Sequence, residues 1–286
     1  MKRWVPILLL AALATAAVMF RPRWTKAAGP PIPRRIVSIV PSSTEFLYAV
    51  GAGDQVVGVT SYCLYPPEAR SKEIIGNMHL SFERILALKP DLVVSSEDIA
   101  AKSNEHLRGM GLRVLCLDPR NLADIAGALR TLGRETGHVP EAERAAAEFE
   151  MRVADVERRL RTATAIPSVY LEATSQPHAA APGTAAHEVI VKARGRNIIT
   201  ESFAGKWIPI SWETVLARDP DVIVWAHEYP PLPPSRPGWD GLSAVKAGRA
   251  HAFEKDHFMF PTPRLAGGLE RLARVVHPEC FDEKAR

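Results

Sequence analysis

The chain has 286 residues, more than one small domain uses and comfortable for two. Its 47% hydrophobic and 24% charged content is that of a globular protein with real cores, and its formal net charge is only +4. Lysine and arginine are scattered, with no basic stripe interleaved with aromatics, which argues against a nucleic-acid partner.

In chain order, Met1-Lys2-Arg3 is positive, residues 5–20 are almost wholly apolar, and Ala14-Thr15-Ala16 offers an A-x-A-like cleavage signal. Residues 1–20 therefore read as a secretory signal. The apolar run is short for a membrane span, yet Arg21 and Arg23 follow it directly, so an uncleaved N-terminal anchor is the alternative. No cysteine lies near this boundary to carry a lipid. In either case the main body is expected outside the cytoplasm. Residues 21–34, with three prolines between Ala27 and Pro33, read as a linker.

A buried strand is expected over 35–40, then a helix from Pro41 to Val50, capped by Ser43 or Thr44 and ended by Gly51-Ala52-Gly53. Strands at 56–59, 92–95 and 113–117 alternate with helices around 85–88 and 104–110, which predicts a parallel sheet of βα units. Residues 121–135 form an amphipathic helix with Ile125, Leu129 and Leu132 on one face. From Glu141 to Thr162 there is no Gly or Pro, and Ala, Glu and Arg predominate, so a longer helix is expected, about 30 Å in length. Such a helix between two halves acts as a stiff backbone. The second half repeats the theme, with strands at 168–172, 222–225 and 250–254 and helices at 185–193 and 262–276. Pro261 and Pro263 suit the first turn of the last helix, and the proline-rich 229–234 reads as a rigid loop.

The expected fold class is α/β: two Rossmann-like lobes with mostly parallel sheets, joined by one long rigid helix, with a ligand cleft between them. The boundaries are 35–137 for the N-terminal lobe, 138–163 for the helix and 164–286 for the C-terminal lobe. An internal repeat supports this. Ser81-Phe82-Glu83-Arg84-Ile85-Leu86-Ala87-Leu88-Lys89-Pro90-Asp91-Leu92-Val93-Val94 matches Ser211-Trp212-Glu213-Thr214-Val215-Leu216-Ala217-Arg218-Asp219-Pro220-Asp221-Val222-Ile223-Val224. Each copy is a short helix, a Pro-Asp turn and a buried strand, and each helix start leaves a glutamate exposed.

The sequence carries no G-x-S-x-G, H-E-x-x-H, Walker or G-x-G-x-x-G motif. His227, His251 and His257 near strand ends could meet in a cleft and bind a metal, which makes a metal-dependent hydrolase the rival of another class. Dispersed loop histidines are the plainer reading. Cys63, Cys116 and Cys280 allow at most one disulfide, and Cys116 reads as a buried free thiol in an apolar strand.

Four stretches carry a resemblance. They are Arg35-Ile36-Val37-Ser38-Ile39-Val40-Pro41-Ser42-Ser43-Thr44-Glu45; Val57-Gly58-Val59-Thr60-Ser61-Tyr62 with Tyr65-Pro66-Pro67-Glu68-Ala69; the first repeat copy; and Trp207-Ile208-Pro209-Ile210-Ser211-Trp212-Glu213 with Trp239-Asp240-Gly241-Leu242. Together they resemble the helical-backbone class of ABC-transporter substrate-binding proteins, and within it the cobalamin-binding members. The match covers nearly everything from Arg35 to Val276.

The resemblance implies no catalysis and no resident cofactor. It implies a permease with ATPase subunits as partner, and a corrinoid, siderophore-type chelate or haem as cargo. It places Glu83 and Glu213 as the glutamates that meet permease arginines. It places Tyr62, Asn77, Trp207 and Asp256 at the ligand. The chain departs from the cobalamin binders where Asn77, Met78 and His79 replace a tryptophan region, near Ser96, and at Gln176-Pro177-His178-Ala179. Those departures leave the cargo open, with His79, His178 or His257 as reach toward a metal centre.

Overall fold

The computed structural model describes residues 31–172, 178–201, 207–226, 236–253, 258 and 260–281. The expected signal, most of the linker and the loop at 229–234 lie outside the described residues. Two sheets organise the rest. The first has the order β3 (Glu73–Ile74), β2 (Val56–Val59), β1 (Ile36–Ser38), β4 (Leu92–Ser95), β5 (Val114–Cys116), parallel throughout. The second runs β11 (Ala250–Ala252), β10 (Val222–Trp225), β6 (Ser168–Glu172), β7 (His178–Ala180), β9 (Trp207–Pro209), and β8 (Arg196–Asn197) pairs with the start of β6. Among the described strands of this sheet β7 is the reversed one, antiparallel to both β6 and β9, and the other pairings are parallel. Strands β1, β4, β6 and β10 are buried at every position, as parallel strands covered on both faces require. Short three-residue strands rich in alanine carry no period-2 signal, so β7 escaped the sequence reading.

Each sheet is built from one contiguous stretch, so the described chain passes between them once. It does so through α4 (Leu122–Thr136) and α5 (Val139–Arg159). At 21 residues, α5 is about 31 Å long. It packs on α4 at one side and on α9 (Leu265–Val276) at the other. The α4–α5 approach is close because Gly133 has no side chain: a Cβ there would lie 2.2 Å from Cβ of Ala142. Gly133→Ala is therefore expected to prise the two helices apart and cost about 1–3 kcal/mol, read as a lower urea midpoint at unchanged slope.

The repeat is realised in three dimensions. Helices α2 (Phe82–Ala87) and α7 (Trp212–Arg218) each start at a serine cap, where Ser81 Oγ accepts from Arg84 N and Ser211 Oγ from Thr214 N. Each ends in a left-handed residue before proline, Lys89 at φ 46° and Asp219 at φ 36°. The aspartate that follows ties down the start of the neighbouring central strand. Asp91 Oδ2 accepts from the amides of Arg34 and Arg35 before β1. Asp221 Oδ2 accepts from the amide and hydroxyl of Ser168 at the start of β6. Those Ser168 hydrogen bonds hold the Asp221 carboxyl below its ordinary range.

Three local expectations are corrected. Helix α1 (Pro41–Ala49) has no side-chain cap: Thr44 Oγ1 bonds back to Val40 O and Ser38 Oγ, while Ser43 Oγ is buried without a hydrogen-bond partner. Pro41 begins this helix instead, its missing N–H costing nothing in the first turn. Pro261 and Pro263 precede α9, which begins at Leu265. Cys116 is only half-buried and sits in a polar cluster, with Sγ donating to Glu97 Oε2 at 3.1 Å and accepting from Asn104 and Arg108. Burial and the Glu97 hydrogen bond push its thiol up to about 12. All three cysteines are free thiols.

A candidate cleft between two lobes

In open parallel sheets, ligands sit outside the carboxyl ends of the strands. One side-chain cluster joins the two halves. Arg264, just before α9, reaches Glu45 on α1. Its Nε donates to Oε2 at 2.9 Å and its Nη2 to Oε1. Its guanidinium also lies 4.0 Å over the ring of Tyr65, in the loop that follows β2. Glu45 is 6% exposed and the Arg264 side chain 18%, so the pair is mostly withdrawn from water. A second tie crosses nearby, where Glu188 on α6 (Ala185–Lys192) accepts from the amide of Leu122 at 2.7 Å. Neither pairing is legible from spacing, because its partners are 219 and 66 residues apart.

On the first lobe, Ser61 N donates to Gly76 O at 2.9 Å, which joins the loop bearing Tyr62 to the turn bearing Asn77. That turn is tight. Asn77 Oδ1 accepts from His79 N, and Gly76 adopts φ 137°, where a Cβ would meet His79 O at 2.3 Å. The turn therefore pushes Asn77, Met78 and His79 outward, beside a concavity of about 470 Å³ lined by Ser61, Ile74, Asn77, His79 and Arg84 among others. Tyr62 is 51% exposed, which rules out core packing as its role. Leu64, Tyr65 and Met78 are exposed too, so this wall is apolar as well as polar.

On the second lobe, Trp207 stands on β9 opposite Ala180 and is half-buried against the main core. Asp256 lies outside the described residues. Thus Tyr62 and Asn77 fall on adjoining loops of one lobe, Trp207 belongs to the other, and the fourth ligand candidate has no described position. Of the three clustered histidines, only His251 is described. It is half-buried on β11, and burial, then Arg249, lowers its pKa. Among the described residues no group of three His, Cys, Asp or Glu side chains is arranged to hold a metal.

A feature absent from the sequence reading lies at the end of β6. Glu172, 1% exposed, is held bidentately by Arg236 at 2.6 and 2.7 Å and accepts from the Tyr170 hydroxyl at 2.7 Å. Burial, then the Glu172 charge, pushes that hydroxyl well above its ordinary value. Arg236 lies 4.9 Å over the ring of Trp212, which stacks on Trp239, and Trp239 meets Trp225 edge-on.

Glu83 and Glu213 are both exposed in the first turns of α2 and α7, one per lobe. The Glu213 carboxyl is held below its ordinary range by its own backbone amide and the Ser211 hydroxyl. It is therefore a full negative charge at neutral pH, and both carboxylates suit the positive end of the helix dipole.

Comparison with known proteins agrees with this architecture. A periplasmic binding protein family model matches residues 36–255. A vitamin B12-binding protein of Photorhabdus laumondii is 33% identical over 248 residues, 86% of this chain and 88% of that one. An ABC transporter substrate-binding lipoprotein of Bacillus subtilis is 29% identical over 88% of this chain and 82% of its own length. Among solved structures, the periplasmic vitamin B12 binding protein of Vibrio cholerae superposes with a TM-score of 0.75 at 26% identity, covering 88% of this chain and all of that one. A periplasmic heme binding protein of Pseudomonas aeruginosa gives 0.75 at 27% identity, over 86% and 94% of the two chains. With two α/β sheets linked once through α4 and α5 and a family match over most of its length, this chain belongs to the periplasmic binding protein family.

Proposed function

We propose that this protein captures a corrinoid outside the cytoplasm and delivers it to the permease of an ABC importer, whose ATPase subunits supply the energy. The chelate is cargo, and no chemistry is performed on it. What supports this reading is an exposed tyrosine, Tyr62, on one lobe and a half-buried tryptophan, Trp207, on the other. Flat aromatics bury much area of a large flat macrocycle with little entropy lost. The B12-binding relatives support the corrin over other macrocycles. Asn77 supplies a polar contact to the ring's edge, and residues 1–20 serve as export signal or membrane anchor.

Isothermal titration with cobinamide, cobalamin, hemin and a ferric siderophore tests the assignment. Corrinoid binding is expected, and silence with both corrinoids would sink the choice. Haem is the second reading, favoured by His79, an imidazole thrust outward beside Asn77; an absorbance band shift with hemin alone would establish it. Tyr62→Ala and Trp207→Ala should each weaken corrinoid binding by about 2 kcal/mol, roughly thirtyfold, as expected for aromatic anchors. A loss below about threefold at both sites would remove them from the cleft.

A further inference from the structure

We infer that Glu45, Arg264 and Tyr65, which line one concavity, form a clasp between the two lobes that sets their separation. They are positioning residues and need not touch the cargo. One helix connects the lobes, and a helix fixes their distance along its axis better than their rotation about it. Contacts away from that axis must limit rotation. The Glu45–Arg264 pair is one such contact, bidentate, mostly buried and stacked on Tyr65. The guanidinium fork matches one carboxylate orientation, which a point charge on a flexible stem does not. The Leu122–Glu188 hydrogen bond then acts as a second tether on the connecting side.

The consequence rests on the docking reading of Glu83 and Glu213. Those carboxylates stand on different lobes, so whatever sets lobe separation sets their spacing. A permease with fixed arginines would read that spacing. Loss of the clasp should therefore damage delivery without removing any docking group.

The test uses the full chain with spin labels at Lys102→Cys and Ala217→Cys, both exposed and one on each lobe, in a background of Cys116→Ser and Cys280→Ser. Cys63 is buried and stays unlabelled. Arg264→Lys retains the charge but loses the fork and the stack; Glu45→Gln retains the shape but loses the charge. Each should broaden the interlobe distance distribution and lengthen its mean. Asp221→Asn, which weakens a tie inside one lobe, should leave the distribution unchanged and so separates clasp loss from general destabilisation. Wild-type distributions in both clasp variants would overturn the inference. A shifted distribution with wild-type uptake would uphold the clasp and overturn the docking reading instead.

Discussion

Replacing both Glu83 and Glu213 by alanine is expected to abolish most cargo delivery while leaving cargo affinity within roughly twofold of wild type. Both carboxylates are exposed, and each stands in the first turn of a serine-capped helix. A ligand-gripping carboxylate would instead sit inward, as Glu45 and Glu172 do. Hydrogen bonds to charged groups are strong enough that each lost glutamate should weaken permease association roughly tenfold to a hundredfold. Charge pairs at such interfaces mostly set encounter rate and register, so single variants should slow association and flatten its salt dependence. Uptake into cells or reconstituted vesicles, with calorimetry on the free protein, checks both halves. If cargo affinity falls with uptake, the glutamates line the cleft and the docking assignment fails.

Local chemistry made much of this molecule readable. Alternating buried runs gave the strands, because parallel strands covered on both faces must be apolar throughout. The Pro-Asp repeat was readable because proline after a left-handed residue, then an aspartate, does the same work twice, at Asp91 and Asp221. The helix expected at 104–110 in fact spans Glu97–Gly109. Its cap, Ser96, and two acids in the first turn were visible, but residues 97–103 lack an apolar stripe, and Ala100 departs from helical angles. Cys116 looked apolar from its strand neighbours, yet its surroundings come from Glu97, Asn104 and Arg108 on a different element. The site divides the same way. Tyr62 and Asn77 fall together because their loops follow adjacent strands. The Glu45–Arg264 pair spans the two lobes, and no spacing rule reaches that far.

Arg236→Ala is expected to be among the most destabilising single changes, at about 3–5 kcal/mol, because it strands the Glu172 carboxylate inside the second lobe. The Tyr170 hydroxyl alone cannot replace a bidentate guanidinium. Arg236→Lys keeps the charge but loses the fork and the plane that lies over Trp212, so it should fall between the two. Removing both charges, with Glu172→Met and Arg236→Met, should recover most of the loss, since a buried pair breaks roughly even against apolar residues of similar volume. Urea unfolding followed by far-UV circular dichroism is the proper readout, because the nearby indoles make fluorescence respond to the substitution itself. A loss under about 1 kcal/mol for Arg236→Ala would mean that Glu172 is hydrated rather than dry. The same arginine also supports Trp212, the residue directly before Glu213. At temperatures where Arg236→Lys is still folded, delivery should therefore fall further than cargo affinity does, since the ring that seats the start of α7 has lost its cover while Tyr62 and Asn77 on the other lobe are untouched.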